Sequence, residues 1–294
     1  MEIVVASGKG GVGKTTLSSS FSLLFFKKGF EVVAVDADVA APNLALLLCR
    51  GGPFEKREIR VSKKAVIDYG KCINCGLCVE NCVFGAIERK GKPVVIEQMC
   101  EGCGACTLVC PEGAISFKAR RTGFITINSS RFGFPVVSGE LELGERNTGL
   151  MVFEVKSEGR RRASENGVLI VDGAPGIGCP VIASIVGANY LVGVTEPTPE
   201  AFRNLRRLRE VARHFGVKMG VVINNCDLNT VVSEEIKSWV LKENLDFLGE
   251  IPHDLEVVKA AVNLKTIIEF NSSSKASKAI KEIFNRLLEV VGFD

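Results

Sequence analysis

The stretch that decides the fold is Gly8-Lys9-Gly10-Gly11-Val12-Gly13-Lys14-Thr15, followed by Thr16. It fits the phosphate-loop pattern G-x-x-x-x-G-K-[ST] at every position. Such a match carries weight only between a strand and a helix, and both flanks are present. Glu2 to Ser7 is a short apolar run rich in Val and Ile, and Thr15 to Lys28 carries Leu17, Phe21, Leu24 and Phe25 before Gly29 closes it. The glycines let backbone N–H groups point inward around phosphate oxygens. The helix adds its positive N-terminal end. Lys14 is placed to bridge the terminal phosphates and the Thr15 hydroxyl to ligate Mg²⁺.

Outward from the loop, Glu31 to Asp36 forms a second apolar strand. Continuous rather than alternating apolar strands mean burial on both faces, hence a parallel sheet. The rhythm returns after about residue 165: strands at Val168–Asp172, Tyr190–Thr195, Val217–Ile223 and Leu245–Ile251, and a helix opened by Thr198-Pro199-Glu200. A last helix spans about Lys275 to Val291, with Ala279, Ile280, Ile283, Phe284, Leu287, Leu288 and Val291 on one stripe. Its mixed-sign polar face favours packing on the sheet over lying on a membrane. Residues 149–155 fit a strand by composition and equally a helix running into Arg160-Arg161-Arg162. The fold class is α/β, a P-loop NTPase with a mostly parallel, doubly wound sheet.

The chain has 294 residues, 24% charged and 46% hydrophobic, which excludes wholesale disorder. A net charge of +3 demands neither a nucleic acid nor an anionic membrane. The longest apolar runs, such as Phe21 to Phe26, fall far below the roughly 18 residues of a membrane helix. No basic region followed by an apolar one opens the chain, so a cytoplasmic location is expected.

Eleven cysteines are the outlier, and eight lie between Cys72 and Cys110. Cys72, Cys75, Cys78 and Cys82 recur 28 residues later as Cys100, Cys103, Cys106 and Cys110. Gly76 recurs as Gly104, Ala86-Ile87 as Ala114-Ile115, and Val66-Ile67 as Val94-Val95. Each copy reads C-x2-C-x2-C-x3-C. Three thiolates within seven residues wrap one face of an iron-sulfur cubane, and the fourth is carried on to the other cluster. One [4Fe-4S] cluster is therefore assigned Cys72, Cys75, Cys78 and Cys110, the other Cys100, Cys103, Cys106 and Cys82. Zinc sites use more widely separated C-x2-C pairs, and disulfides suit another compartment. Seven basic and six acidic residues in 62–119 leave this segment nearly neutral. Cys49 and Cys226 are expected in the core, and Cys179 at a helix start.

Lys9 adds a further signal. Lys9 to Thr16 resembles the deviant Walker A motif of the MinD/ParA and nitrogenase iron protein family. In that family the first lysine reaches across an ATP-sandwiched dimer, so the resemblance implies an ATP-dependent homodimer with Lys9 as that lysine. It also implies that Asp38 positions the attacking water, that Asp36 lies near the Mg²⁺ shell, and that Asp172, ending a Walker B-like strand, holds Mg²⁺. Asn224 resembles the residue that reads adenine. Gly8, Lys9, Gly10, Gly11, Val12, Gly13, Lys14, Thr15, Thr16 and Asn224 thus form the expected ATP site, with Lys9, Lys14, Asp38 and Asp172 catalytic. Residues 61–119 resemble a bacterial-type two-cluster ferredoxin, an α+β domain, although Val83 replaces the proline expected after Cys82. The expected layout is an ATPase in two parts, 1–60 and 120–294, with the ferredoxin-like domain inserted after its second strand and directly behind the Asp38–Leu44 loop.

The leading expectation is an ATPase that couples nucleotide state to electron transfer from two clusters to a redox or cofactor-assembly partner protein. A metallocofactor assembly carrier and a partition or positioning ATPase are the alternatives. Neither nucleic acid nor membrane is expected as a partner.

Overall fold

The structure, a computed structural model, describes residues 1–146 and 148–293. In chain order it builds β1 (Glu2–Ser7), α1 (Lys14–Lys27), β2 (Val32–Asp36), α2 (Leu44–Leu48), β3 (Glu55–Ile59), β4 (Ser62–Ile67), α3 (Leu77–Glu80), β5 (Ile87–Lys90), β6 (Lys92–Val95), α4 (Ala105–Leu108), β7 (Ile115–Arg120), β8 (Gly123–Ser129) and β9 (Pro135–Leu141). Then follow α5 (Thr148–Arg162), β10 (Val168–Pro175), α6 (Cys179–Ile185), β11 (Tyr190–Thr195), α7 (Pro199–His214), β12 (Lys218–Asn224), α8 (Thr230–Lys242), β13 (Asp246–Ile251), α9 (Leu255–Val262), α10 (Ile267–Phe270) and α11 (Lys275–Val291).

Among the described residues, nine strands form one sheet in the order β13-β12-β11-β1-β10-β2-β9-β8-β3. The run from β13 to β9 is parallel, and β8 and β3 close the edge antiparallel. All six residues of β1 and of β11 are buried, as their unbroken apolar runs predict. Helices cover both faces. One core contains Leu17 and Phe21 of α1 and Ile280 to Leu288 of α11; the other contains Met151 of α5, Val181 of α6 and Leu205 of α7. Phe25 meets Phe284 edge-on at 4.8 Å, so the apolar stripe of α11 is spent on the sheet layer. From β1 the chain moves outward to one side through β2 and later to the other through β11. That reversal opens a crevice at the strands' carboxyl ends.

The undecided segment is a helix. Met151, Val152, Val155 and Gly159 of α5 are buried at helical spacing. Gly159 is needed there, since a Cβ would come within 2.4 Å of Val35. The three arginines end in ion pairs: Arg160 with Glu2, Arg161 with Glu158, and Arg162 with Glu158 and Glu55.

One expectation is corrected. The chain does not leave the sheet after its second strand or directly behind residues 38–44. It first builds α2 and then β3, which pairs with β8 at the sheet edge. Four of the five residues of β3 (Glu55 to Glu58) are exposed, so no apolar run announced it. Beyond Ile59 the chain forms two small antiparallel sheets, β4–β7 and β5–β6, with the single-turn helices α3 and α4. They enclose a hydrophobic cluster of their own, made of Ala65, Ile67, Ala86, Ile87 and Ile115 with the cysteines. The repeat is written into the backbone. Gly76 and Gly104 have φ of 87° and 90°, and Asn74 and Gly102, also 28 apart, have φ of 60° and 66°.

Candidate functional site

The loop between β1 and α1 lies at the crevice. Gly11 and Gly13 hold φ of 80° and 92°, which turns the chain so that α1 begins at Lys14. Two glycines are demanded by close approach. A Cβ on Gly8 would lie 2.3 Å from the Asn204 Cβ of α7, and one on Gly13 would lie 2.5 Å from the Asn224 Nδ2.

Lys14 is only 6% exposed. Burial lowers its pKa, and the carboxylates of Asp172, Asp38 and Asp36 pull it back up. Asp172 and Asp36 are register partners on β10 and β2, so the two carboxylates lie side by side, Asp36 at the end of β2 and Asp172 three residues before the end of β10. Burial pushes the Asp172 carboxyl up to about 6, opposed by its hydrogen bond from Thr15 and by Lys14. Ser18, one helical turn beyond Lys14, donates to Asp172 Oδ1 at 3.0 Å. Sequence reading missed Ser18; its i+4 spacing from Lys14 was the available signal.

Asp36 is fully buried and accepts N–H bonds from Asn43 and Leu44 at 2.8 Å each and from Asp38 at 3.1 Å. It is engaged as the anchor of the 38–44 loop. Burial, then the neighbouring Asp172, holds its pKa well above the usual carboxylate range. Asp38 is half-buried; burial raises its pKa and Lys14 lowers it. Lys14, Thr15, Asp36, Asp38 and Asp172 therefore converge. A divalent cation beside these three acids would favour their charged forms, which burial alone opposes.

Two expected residues are engaged elsewhere. Lys9 pairs with Glu200 at the start of α7 at 3.5 Å, and both side chains are exposed. Such a pair is weak and leaves Lys9 free to swing. Asn224 donates to the Val12 carbonyl at 3.1 Å, so it braces the loop. Beside it Asn225, with φ of 51°, donates to Glu196 at 2.9 Å and lies 3.3 Å from the His253 ring. These residues rim the same end of the sheet; an Asn-Asn pair closing an apolar strand was their only sequence signal.

The cysteines gather in two groups. Cys72, Cys75, Cys78 and Cys110 line one cavity, the set read from the spacing. Burial raises the Cys78 thiol pKa, with Cys72 and Cys75 adding to it. Burial likewise raises Cys106, and Cys100, Cys103 and Cys82 add to it, so the other four are also mutual neighbours. Backbone N–H groups point at sulfur: Ala86 to Cys82 Sγ at 3.2 Å, Ala114 to Cys110 Sγ at 3.3 Å and Ala65 to Cys100 Sγ at 3.4 Å. Among the described residues no three His, Cys, Asp or Glu side chains crowd closely enough to hold one metal ion. Cys49 and Cys226 pack against the two cores, and Cys179 is exposed at the start of α6, with Gly149 of α5 against it. Of the segment 146–149, Asn147 lies outside the described residues.

A phosphate loop at the switch point of a parallel sheet, with a strand-end aspartate beside its lysine, defines a P-loop nucleotide-binding protein. The domain described as the CobQ/CobB/MinD/ParA nucleotide binding domain matches residues 3–267, and the chain belongs to that family of ATP-binding P-loop ATPases. It is 36% identical over 293 residues to the uncharacterized protein MJ0578 of Methanocaldococcus jannaschii, covering 99% of this chain and 98% of the relative. It is 27% identical to the chloroplastic septum site-determining protein MinD homolog of Arabidopsis thaliana, covering 98% and 74%. Among solved structures, the cell division ATPase MinD of Pyrococcus furiosus has a TM-score of 0.61 at 16% identity, covering 98% of each chain, and shares the fold.

Proposed function

We propose that this ATPase is a nucleotide-driven switch whose response is carried by the cysteine segment. Binding and hydrolysis of MgATP at the 8–15 loop would gate electron transfer from two [4Fe-4S] clusters to a protein partner. The observation that carries this reading is the meeting of Cys72, Cys75 and Cys78 with Cys110, from the other half of the repeat, around one cavity. That interleaving is what two-cluster ligation requires. The N–H groups aimed at Cys82, Cys100 and Cys110 suit thiolates, and the donor set suits soft iron. The clusters supply one-electron chemistry; the chain supplies their ligands and surroundings. At the nucleotide site, Lys14 would neutralise the terminal phosphates, Thr15 and Asp172 would hold the cation, and Asp38 would orient water.

A positioning ATPase is the second reading, and relatives with a functional name favour it more directly than they favour electron transfer. They include the septum site-determining protein above, and a MinD of Aquifex aeolicus is solved in complex with MinC. The Pyrococcus horikoshii protein, solved with Mg-ADP at 15% identity, supports the cofactor choice. An ATP-dependent homodimer follows if Lys9 exchanges Glu200 for a partner's nucleotide.

Iron, sulfide and nucleotide are to be counted in the anaerobically purified chain. Eight iron and eight sulfide per chain are expected. Zinc in place of iron, or no bound cluster, refutes the redox reading. Sedimentation with lipid vesicles or DNA in ATP would then establish the positioning one. Asp38→Ala is expected to abolish hydrolysis and keep ATP binding; surviving hydrolysis removes Asp38 from its role.

A further inference from the structure

The ligands of the two cysteine sites repeat at 28 residues, but their surroundings do not. Cys82 and Cys110 each accept one backbone N–H, from the equivalent residues Ala86 and Ala114. Cys100 accepts a further one, from Ala65 at 3.4 Å. The residue equivalent to Ala65 is Pro93, which lines the cavity of the Cys72 site and has no N–H to give. The charge differs in the same sense. Lys64, 6% exposed, donates from Nζ to the Cys100 carbonyl at 2.9 Å, whereas its equivalent, Lys92, is exposed. At the Cys72 site Arg89 lies against Gly76 and donates to the Asn74 carbonyl at 3.1 Å; it is exposed and therefore screened by water.

We propose that the two sites are built with unequal reduction potentials, and that the Cys82, Cys100, Cys103 and Cys106 site is the higher, tuned by buried Lys64 and the Ala65 N–H. The proposal rests on the iron-sulfur reading. Reduction adds one negative charge to a site, and N–H···S bonds and an unscreened cation stabilise that charge. Glu145, 3.4 Å from Lys64 Nζ, offsets part of the cation, and Arg146 beside it lies 3.7 Å from Glu101. The higher site is also the one against the ATPase body. Glu145 and Arg146, which pair with Lys64 and Glu101 there, lie shortly before α5, whose Gly149 packs on Cys179 after β10. An electron entering at the Cys72 site would therefore come to rest next to the nucleotide-binding half.

The test is an anaerobic redox titration of the full chain, with dithionite as electron donor and paramagnetic resonance as readout. Each site takes up one electron, and no bond forms or breaks. The wild type is expected to reduce in two separate steps. Lys64→Met should lower the upper step alone, Glu145→Gln should raise it alone, and Pro93→Ala, which supplies an N–H at the position equivalent to Ala65, should raise the lower step alone. Lys64 and Glu145 acting merely as a structural clamp would shift both steps alike or lose iron together, which overturns the tuning role. Coincident steps in the wild type, or no shift in Pro93→Ala with full iron content, overturn the inequality. An iron-free chain shows no step, and that result refutes the underlying reading as well.

Discussion

Asp172 carries two demands at the residue scale. It is buried, which favours its neutral form, and on the proposed reading it holds a cation, which requires its charged form. Its carboxyl is raised from 3.8 to about 6. The native state therefore binds more protons than the unfolded chain across that window. The stabilisation this group contributes is present at low pH and is lost as pH rises through about 6. A cation reverses the balance, because it competes with the proton. The rise in Tm that Mg²⁺ adds to ADP is expected to be full at pH 7.5 and to shrink below pH 6, with cation affinity falling about tenfold per unit. Asp172→Asn should abolish both the increment and its pH dependence. An increment equal at pH 5 and pH 7.5 would take Asp172 out of the cation site. Lys14 and Thr15 were legible from the motif alone. Asp36 was legible as a residue but not in its role, because its acceptance of three loop amides depends on how residues 38–44 fold back.

At the scale of elements, glycines and caps separate what is local from what is not. Thr198 accepts from the Ala201 N–H at 3.2 Å with Pro199 behind it, and α7 starts where its sequence says. Gly102 and Asn74 share one backbone shape but not one environment: a Cβ on Gly102 would lie 2.3 Å from the Lys63 carbonyl. Gly102→Ala is therefore expected to destabilise residues 62–120 by about 1–3 kcal/mol, while Asn74→Gly changes stability by less than about 1 kcal/mol. Chemical denaturation of both variants, followed by hydrogen exchange in β4 and β7, checks this. Equal effects would show that β4 does not press on the 100–106 turn. Helix α5 was ambiguous because a seven-residue window with few charges fits either period. What settles it is Gly159 lying against Val35, a contact across 124 residues of chain.

At the scale of the molecule, the described residues hold separate apolar cores: two on the faces of the large sheet and one under residues 62–120. The small core is rich in cysteine and poor in large side chains, so it gains little from burial alone. On the iron-sulfur reading proposed above, removing iron by chelation is expected to expose residues 62–120 to proteolysis while β1, β10 and β11 keep their exchange protection. Loss of protection in all of them at once would mean that the halves fold as one unit. By itself the sequence determined the phosphate loop, the buried parallel strands and the paired cysteine quartets. Each of these is set by short-range spacing, backbone freedom or side-chain chemistry. The tertiary structure alone decided that β3 closes the sheet edge, that Asn224 braces the loop, that Asp36 anchors residues 38–44, and that Lys64 is buried at one cysteine site and not at its twin. Three of these depend on partners brought together from distant parts of the chain, and the Asp36 contacts on how residues 38–44 fold back, which no local period encodes.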